Sequence, residues 1–169
     1  YKIYKQIRNN IKITVRKDNK EDFRFVKLID FEHPENNTFT AVSQMWIQGK
    51  VYYRRPDILI FINGMPIVFI ELKNSIVKIE EAYNKNLKDY LRDVPNLFVF
   101  NQICVLSNGL ETKLGAFNAT YDYFFEWLKV DSEKEILDRE AIHSAENVKD
   151  SSVRFFVDGL LNKDKLIDY

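Results

Sequence analysis

Asp57, Glu71 and Lys73 stand at the ends of two apolar runs, Asp57-Ile58-Leu59-Ile60-Phe61-Ile62 and Ile67-Val68-Phe69-Ile70-Glu71-Leu72-Lys73, joined through Asn63-Gly64-Met65-Pro66. Charged side chains are seldom buried without partners, so two acids and a lysine at the ends of such runs need a chemical reason. An Asn-Gly pair between apolar runs predicts a β-hairpin, here slightly longer than the minimal one because Met65 and Pro66 follow. Antiparallel pairing returns Glu71 to the end of the sheet where Asp57 begins, with thirteen residues between the two. Glu71 and Lys73 are two apart and leave the strand on one face, while Leu72 is expected to point into the core.

Two carboxylates a few ångströms apart repel, and a divalent cation relieves the repulsion. Mg²⁺ suits oxygen ligands and keeps several waters, which leaves room for a substrate phosphate. Asp57 and Glu71 would hold it, with the backbone carbonyl of Leu72 between them. A metal so held lowers the pKa of a bound water and neutralises charge developing on a phosphoryl oxygen. Lys73, a point charge, would orient that water or stabilise the pentavalent phosphorus. The plainer alternative is a surface salt bridge between Lys73 and the acids, worth at most about 1 kcal/mol.

The elements that must position these groups follow from periodicity. Ile11 to Lys17 alternates apolar and polar residues and predicts a half-exposed strand; Asp18 to Asp22 is a turn, and Phe23 to Ile29 a second strand. Asp30 to Asn37 is a loop by its Pro, Asn and acid content. Thr38 to Gln48 predicts a strand closed by Gly49, ahead of the central hairpin. Ile79, Ala82, Tyr83, Leu87, Tyr90 and Leu91 fall at spacings of three and four, which predicts an amphipathic helix over 79–93 that Pro95 stops. Phe98 to Leu106 is an apolar strand, Ser107-Asn108-Gly109 a turn, Glu111 to Phe117 a short strand and Tyr121 to Leu128 a helix. Asp131 to Tyr169 is helical in pattern and acidic, with 10 Asp and Glu against 6 Lys and Arg. Strands around a hairpin, then a helix and another strand, indicate an α/β fold: a mixed sheet flanked by helices.

The chain of 169 residues fits one domain with a core of its own, and 46% hydrophobic residues agree with a packed globule. Its one cysteine, Cys104, excludes an internal disulfide and lies in an apolar run, which suggests a core residue and an intracellular protein. No apolar stretch approaches the roughly 20 residues of a membrane span, so no membrane partner is expected. Formal net charge is zero, yet Tyr1 to Pro56 carries 12 Lys and Arg against 6 Asp and Glu, and the remainder 13 against 19. The first third could face a polyanion.

Arg55-Pro56-Asp57-Ile58-Leu59, Asn63-Gly64-Met65-Pro66 and Ile70-Glu71-Leu72-Lys73-Asn74 together resemble the PD-(D/E)xK nuclease core, most closely the amino-terminal endonuclease domain of the type I restriction enzyme R subunit. Upstream, Leu28 to Phe31, Pro34 to Asn37 and Gln44 resemble the family's approach to the site. Downstream, Ala82-Tyr83-Asn84, Asn101-Gln102, Ser107-Asn108-Gly109 and Phe125-Glu126-Trp127 also fit, and Gly159 to Asn162 resembles the segment leading to a motor domain. The resemblance implies a restriction-endonuclease-like fold with a core over about 11–130, and a helical extension over 131–169. It also implies Mg²⁺-dependent hydrolysis of double-stranded DNA, modification and specificity subunits as partners, and a cytoplasmic setting. The family's Gln-x-x-x-Tyr signature is matched by Asn86 and Tyr90, where Asn keeps the amide but is one methylene shorter; packing within the helix is the other reading of Tyr90.

None of the five glycines lies in a phosphate-binding P-loop, so ATP would act only through a motor outside this chain. His33 and His143 have no partners at metal-ligand spacing. Two other functions fit the same residues: a solitary nuclease that repairs or trims DNA, and a non-catalytic module that binds DNA or partner subunits.

Overall fold

The computed structural model describes residues 2–17, 20–126, 161 and 166–167. A short helix α1 (Lys2–Arg8) precedes an antiparallel ribbon of β1 (Ile11–Lys17) and β2 (Lys20–Val26). The ribbon begins its return at Lys20 and ends at Val26, so the expected turn is shorter and the second strand sits earlier. Then come β3 (Phe39–Ser43), the two-residue strands β4 (Ile47–Gln48) and β5 (Tyr53–Arg54), β6 (Ile58–Ile62), β7 (Met65–Leu72), β8 (Ile103–Ser107), β9 (Thr112–Gly115) and β10 (Phe125–Glu126).

Among the described residues six strands form the main sheet in the order β10-β9-β8-β7-β6-β3, and only the β7–β8 pair is parallel. A parallel neighbour needs a crossover, and the helical stretch between β7 and β8 supplies it. It comprises α2 (Ile79–Glu81), a π-helical segment Ala82–Leu87 and α3 (Lys88–Asp93). Buried Ile79, Ala82, Leu87 and Tyr90 are spaced three, five and three. The π segment absorbs the step of five, keeping Leu87 and Tyr90 turned to the sheet. Glu80 and Glu81 lie in the first turn, where the helix dipole favours acids.

The central hairpin closes through Asn63 (φ 50°) and Gly64 (φ 81°), both left-handed, with Ile62 paired to Met65. This is the minimal two-residue turn rather than the longer connection expected from Met65-Pro66. Pro66 is accommodated opposite Phe61, in the non-hydrogen-bonded pair next to the turn where no donor to β6 is required, and the register shift that follows between Ile60 and Phe61 leaves Ile67 as the extra residue of a bulge.

Strand alternation divides the core. Ile60, Ile62, Val68, Ile70 and Val105 face Ile7, Ile29 and Leu166-Ile167. Leu59, Phe69, Cys104 and Leu106 face the helical crossover, with Leu87, Tyr90, Phe98 and Phe124. Each fully buried Leu, Ile or Phe contributes about 1.5–3 kcal/mol. Cys104 is a core residue, as expected, and burial pushes its thiol well above the ordinary range.

Three expected elements differ. The strand over Thr38 to Gln48 breaks at Gln44, which takes φ 50° and donates its N–H to the carbonyl of Asp57 at 2.9 Å. Phe98 to Gln102 is not strand: Pro95–Phe98 forms a 3₁₀ turn, and buried Asn101 donates to the carbonyls of Ile67 and Ile103 before β8 begins. Tyr121–Tyr123 is a 3₁₀ turn followed by β10 rather than a helix, because the rings of Tyr121 and Phe124 pack on Tyr83 of the crossover. The extension over 131–169, with His143 and the Gly159 to Asn162 segment, lies outside the described residues apart from Leu161 and Leu166-Ile167.

Candidate active site

Asp57 immediately precedes β6, Glu71 is the penultimate residue of β7 and Lys73 follows it. Ile58 pairs with Ile70, the last rung of the β6–β7 ladder. One residue beyond that rung on β6 comes Asp57, whose Oδ2 accepts the Leu72 N–H at 2.8 Å. A strand residue's N–H and C=O point to the same neighbouring strand, so the Leu72 carbonyl is also turned to the Asp57 side. On the other edge, the Lys73 N–H donates to the Ser107 carbonyl at 2.7 Å, which continues the parallel pairing past Leu72.

Glu71 follows Phe69 on the face that the crossover covers, and its side chain is only 5% exposed. Leu72 continues the opposite face and is 39% exposed. The expected inward Leu72 is therefore reversed: the acid is inside and the leucine outside. Lys73 Nζ, itself mostly covered, donates to Glu71 Oε1 at 3.0 Å. Glu71 Oε2 is buried and receives no well-formed hydrogen bond, and the Tyr90 hydroxyl is the donor that approaches the Glu71 carboxylate. A buried polar atom left so costs about 1–3 kcal/mol.

Burial raises the Glu71 pKa above the ordinary carboxylate range. The Asp57 charge raises it further, while the hydrogen bond and charge of Lys73 oppose both. Tyr90, on α3, is brought to the same place; burial, then the charges of Glu71 and Asp57, push its phenol well above the usual value, so it stays protonated. Its ring also meets Phe69 edge-on with centroids 5.1 Å apart, so the packing expected of it is present together with proximity to the acids. Asn86 is half-buried on the π segment and has no side-chain hydrogen bond to Asp57, Glu71 or Lys73.

Two residues that periodicity did not single out for the site support it. Arg54 is paired to Asp93 and Asp89 on α3 and bears electrostatically on Tyr90. Asn108 binds the Val77 carbonyl through Nδ2 at 2.9 Å and accepts the N–H groups of Leu110 and Glu111, fixing the loop that leaves Lys73. The sequence signals for Asn108 were its Asn-Gly turn and the place of Ser107-Asn108-Gly109 in the family resemblance.

Among the described residues no three His, Cys, Asp or Glu side chains gather as a metal cluster. The oxygens that could serve a cation here are those of two carboxylates, Asp57 and Glu71, and the Leu72 carbonyl. A buried Glu71 oxygen without a well-formed hydrogen bond, beside a second acid, fits a hard divalent cation that completes its shell with water. No helix of the described residues is long and apolar enough to cross a membrane.

Residues 1–123 match the family model described as the type I restriction enzyme R protein N terminus. The chain is 32% identical over 98% of its length to the type I restriction enzyme HindI endonuclease subunit of Haemophilus influenzae. It is 37% identical over 79% of its length to a putative type I restriction enzyme MjaIXP endonuclease subunit of Methanocaldococcus jannaschii. A third relative, the SsaAORF53P endonuclease subunit of Staphylococcus saprophyticus, is 30% identical over 60% of the chain. The matched region spans 15%, 13% and 11% of those proteins, respectively. With the match running through β1 to β9 and across the Asp57, Glu71, Lys73 site, this chain belongs to the family of type I restriction enzyme R protein N-terminal regions.

Proposed function

We propose that the domain is the Mg²⁺-dependent endonuclease of a type I restriction-modification R subunit, with a PD-(D/E)xK site on a restriction-endonuclease-like fold that hydrolyses phosphodiester bonds of double-stranded DNA. The observation that carries this reading is the buried Glu71 carboxylate, one oxygen held by Lys73 and the other without a well-formed hydrogen bond, next to Asp57. Buried carboxylate oxygens are nearly always satisfied, and a cation beside Asp57 would satisfy this one.

Asp57, Glu71 and the Leu72 carbonyl would hold the cation; when bound, Mg²⁺ supplies a Lewis acid for water and phosphate. Asp57 also locks Leu72 through its backbone N–H, so a single side chain sets the end of β7. Lys73 keeps its ammonium on the Glu71 face, where it meets the attacking water or the charge that grows on the phosphoryl oxygens. Tyr90 remains a neutral phenol against Glu71 and closes the site from the helix side. Asn86 is proposed as a contact to the DNA backbone, on the resemblance of Asn86 and Tyr90 to the family's amide-and-tyrosine signature.

Modification and specificity subunits are the proposed partners, cytoplasm the proposed setting, and ATP acts through a motor elsewhere in the subunit. Replacing Asp57, Glu71 or Lys73 with Ala in the full-length subunit should abolish cleavage while leaving DNA-stimulated ATP hydrolysis intact. Persistent cleavage by Glu71→Ala would sink the assignment.

A further inference from the structure

Residues 44–56 carry three cations, Lys50, Arg54 and Arg55, and no acid. They form the small β4–β5 hairpin, and both of its ends are pinned. At one end the Gln44 N–H is bonded to the Asp57 carbonyl and Pro56 is buried. Arg54, near the same base, is held by Asp93 and Asp89 on α3, the segment that carries Tyr90, and the other end is the turn at Gly49. Gly49 fits against the Asp93 carbonyl so closely that no side chain could stand there. The hairpin is therefore a fixed outgrowth of the candidate active site.

What it presents to solvent does not resemble an ordinary surface. Trp46 is 64% exposed, and Met45, Val51, Tyr52 and Tyr53 are exposed beside it. The Arg55 guanidinium lies over the Trp46 ring, 5.0 Å from its centroid. Neither Lys50 nor Arg55 has an ion-pair partner among the described residues. Open rings interleaved with uncompensated cations are the chemistry of a stacking platform for bases beside contacts for phosphates. Paired bases inside a duplex hide their faces, and two-residue strands are too short to lie along a groove.

We infer that the β4–β5 hairpin grips an unpaired stretch of the DNA strand next to the scissile phosphate, with a base stacked on Trp46 and neighbouring phosphates met by Arg55 and Lys50. This rests on the nuclease reading and adds to it a substrate form: DNA locally opened beside the cut. A protein surface covering the same rings is the competing occupant. Charge complementarity favours DNA, because two cations without ion-pair partners among the described residues, Lys50 and Arg55, adjoining a site for a phosphodiester continue the path of the same polyanion.

The test uses the full-length subunit in a Glu71→Ala background, which keeps DNA intact during binding. Binding is measured on a duplex, on the same duplex with a short central bubble, and on a single strand, with 2-aminopurine placed in the bubble. Trp46→Ala should weaken bubble and single-strand binding about tenfold and abolish quenching of the 2-aminopurine, with duplex binding changed less than about twofold. Trp46→Phe should restore most of the loss. Joint replacement of Lys50 and Arg55 by Ala should lower the slope of log affinity against log salt by about two. Equal bubble binding by wild type and Trp46→Ala would overturn the inference, as would strong hydrogen-exchange protection of residues 45–53 in the DNA-free subunit, which marks a protein cover. Cleavage that survives Glu71→Ala would instead remove the nuclease reading and leave the binding result standing.

Discussion

The Asp57 carboxylate, one residue beyond the last β6–β7 rung, accepts the backbone N–H of Leu72, two residues beyond it, at 2.8 Å. A side chain thus replaces a ladder bond at the place where the strands part, leaving the remaining Asp57 oxygen and the Leu72 carbonyl on the same side. Asp57→Asn retains an oxygen that can accept the Leu72 N–H but loses the charge. It should change stability by less than about 1 kcal/mol and weaken Mn²⁺ binding at least about tenfold by calorimetry, the cost of losing even an outer-shell partner. Unchanged Mn²⁺ affinity would remove Asp57 from the ligand set.

Glu71→Gln should stabilise the metal-free fold at neutral pH. The sign follows from the raised Glu71 pKa, caused first by burial and then by Asp57. At low pH the carboxyl is protonated in both folded and unfolded chains and costs little. As pH rises past the ordinary carboxylate pKa the unfolded chain ionises freely while the fold resists, so stability falls until the raised folded pKa is passed. Gln removes that penalty. Urea melts at pH 8 should show the variant more stable by about 1 kcal/mol, with the gap closing toward pH 4. A less stable variant at pH 8 would mean that the Lys73 pair outweighs desolvation.

The hairpin and its charges were legible because apolar runs of period two, an Asn-Gly turn and an acid-x-lysine spacing are local signals. The burial of Glu71 was not. Alternation fixes which residues share a face, but which face is covered depends on where the crossover lands, and that put Leu72 outside and Glu71 inside. The Tyr121 to Leu128 stretch failed for a related reason: its aromatic spacing suited a helix, yet tertiary contact with Tyr83 and pairing of Phe125 with Leu114 decided the backbone. The step of five between Ala82 and Leu87 was visible in the sequence but had no meaning until the sheet showed which residues had to face it.

Asp93 ties the hairpin base to the helix, and its carboxyl is held down to about 2, first by the hydrogen bond from Arg92 and then by Arg54. A depressed pKa gives stability that is present above the ordinary carboxylate pKa of about 4 and lost as pH falls toward the folded value. Asp93→Asn should therefore lower stability at pH 7 and flatten the acid limb between about pH 4 and pH 2. Denaturation followed by circular dichroism across that range checks it; an unchanged acid limb would show that the arginines contribute nothing there.

Gly49 offers a test of how rigidly the hairpin is set. A Cβ at this position would collide with the Asp93 backbone carbonyl and stand 2.9 Å from that of Tyr52, and neither atom is the end of a flexible side chain. The Gly49 N–H also donates to the Tyr52 carbonyl at 2.9 Å, so the turn cannot yield without losing its own closing bond. Gly49→Ala should cost about 1–3 kcal/mol, the range for forced overpacking, or else displace the hairpin from α3. The two responses separate by measurement. A lowered melting temperature with unchanged Mn²⁺ affinity places the strain in the hairpin alone. Weakened Mn²⁺ binding as well means that the displacement reaches Asp57 through the Gln44 bond, and a variant equal to wild type in both would show that the hairpin is not fixed against the helix.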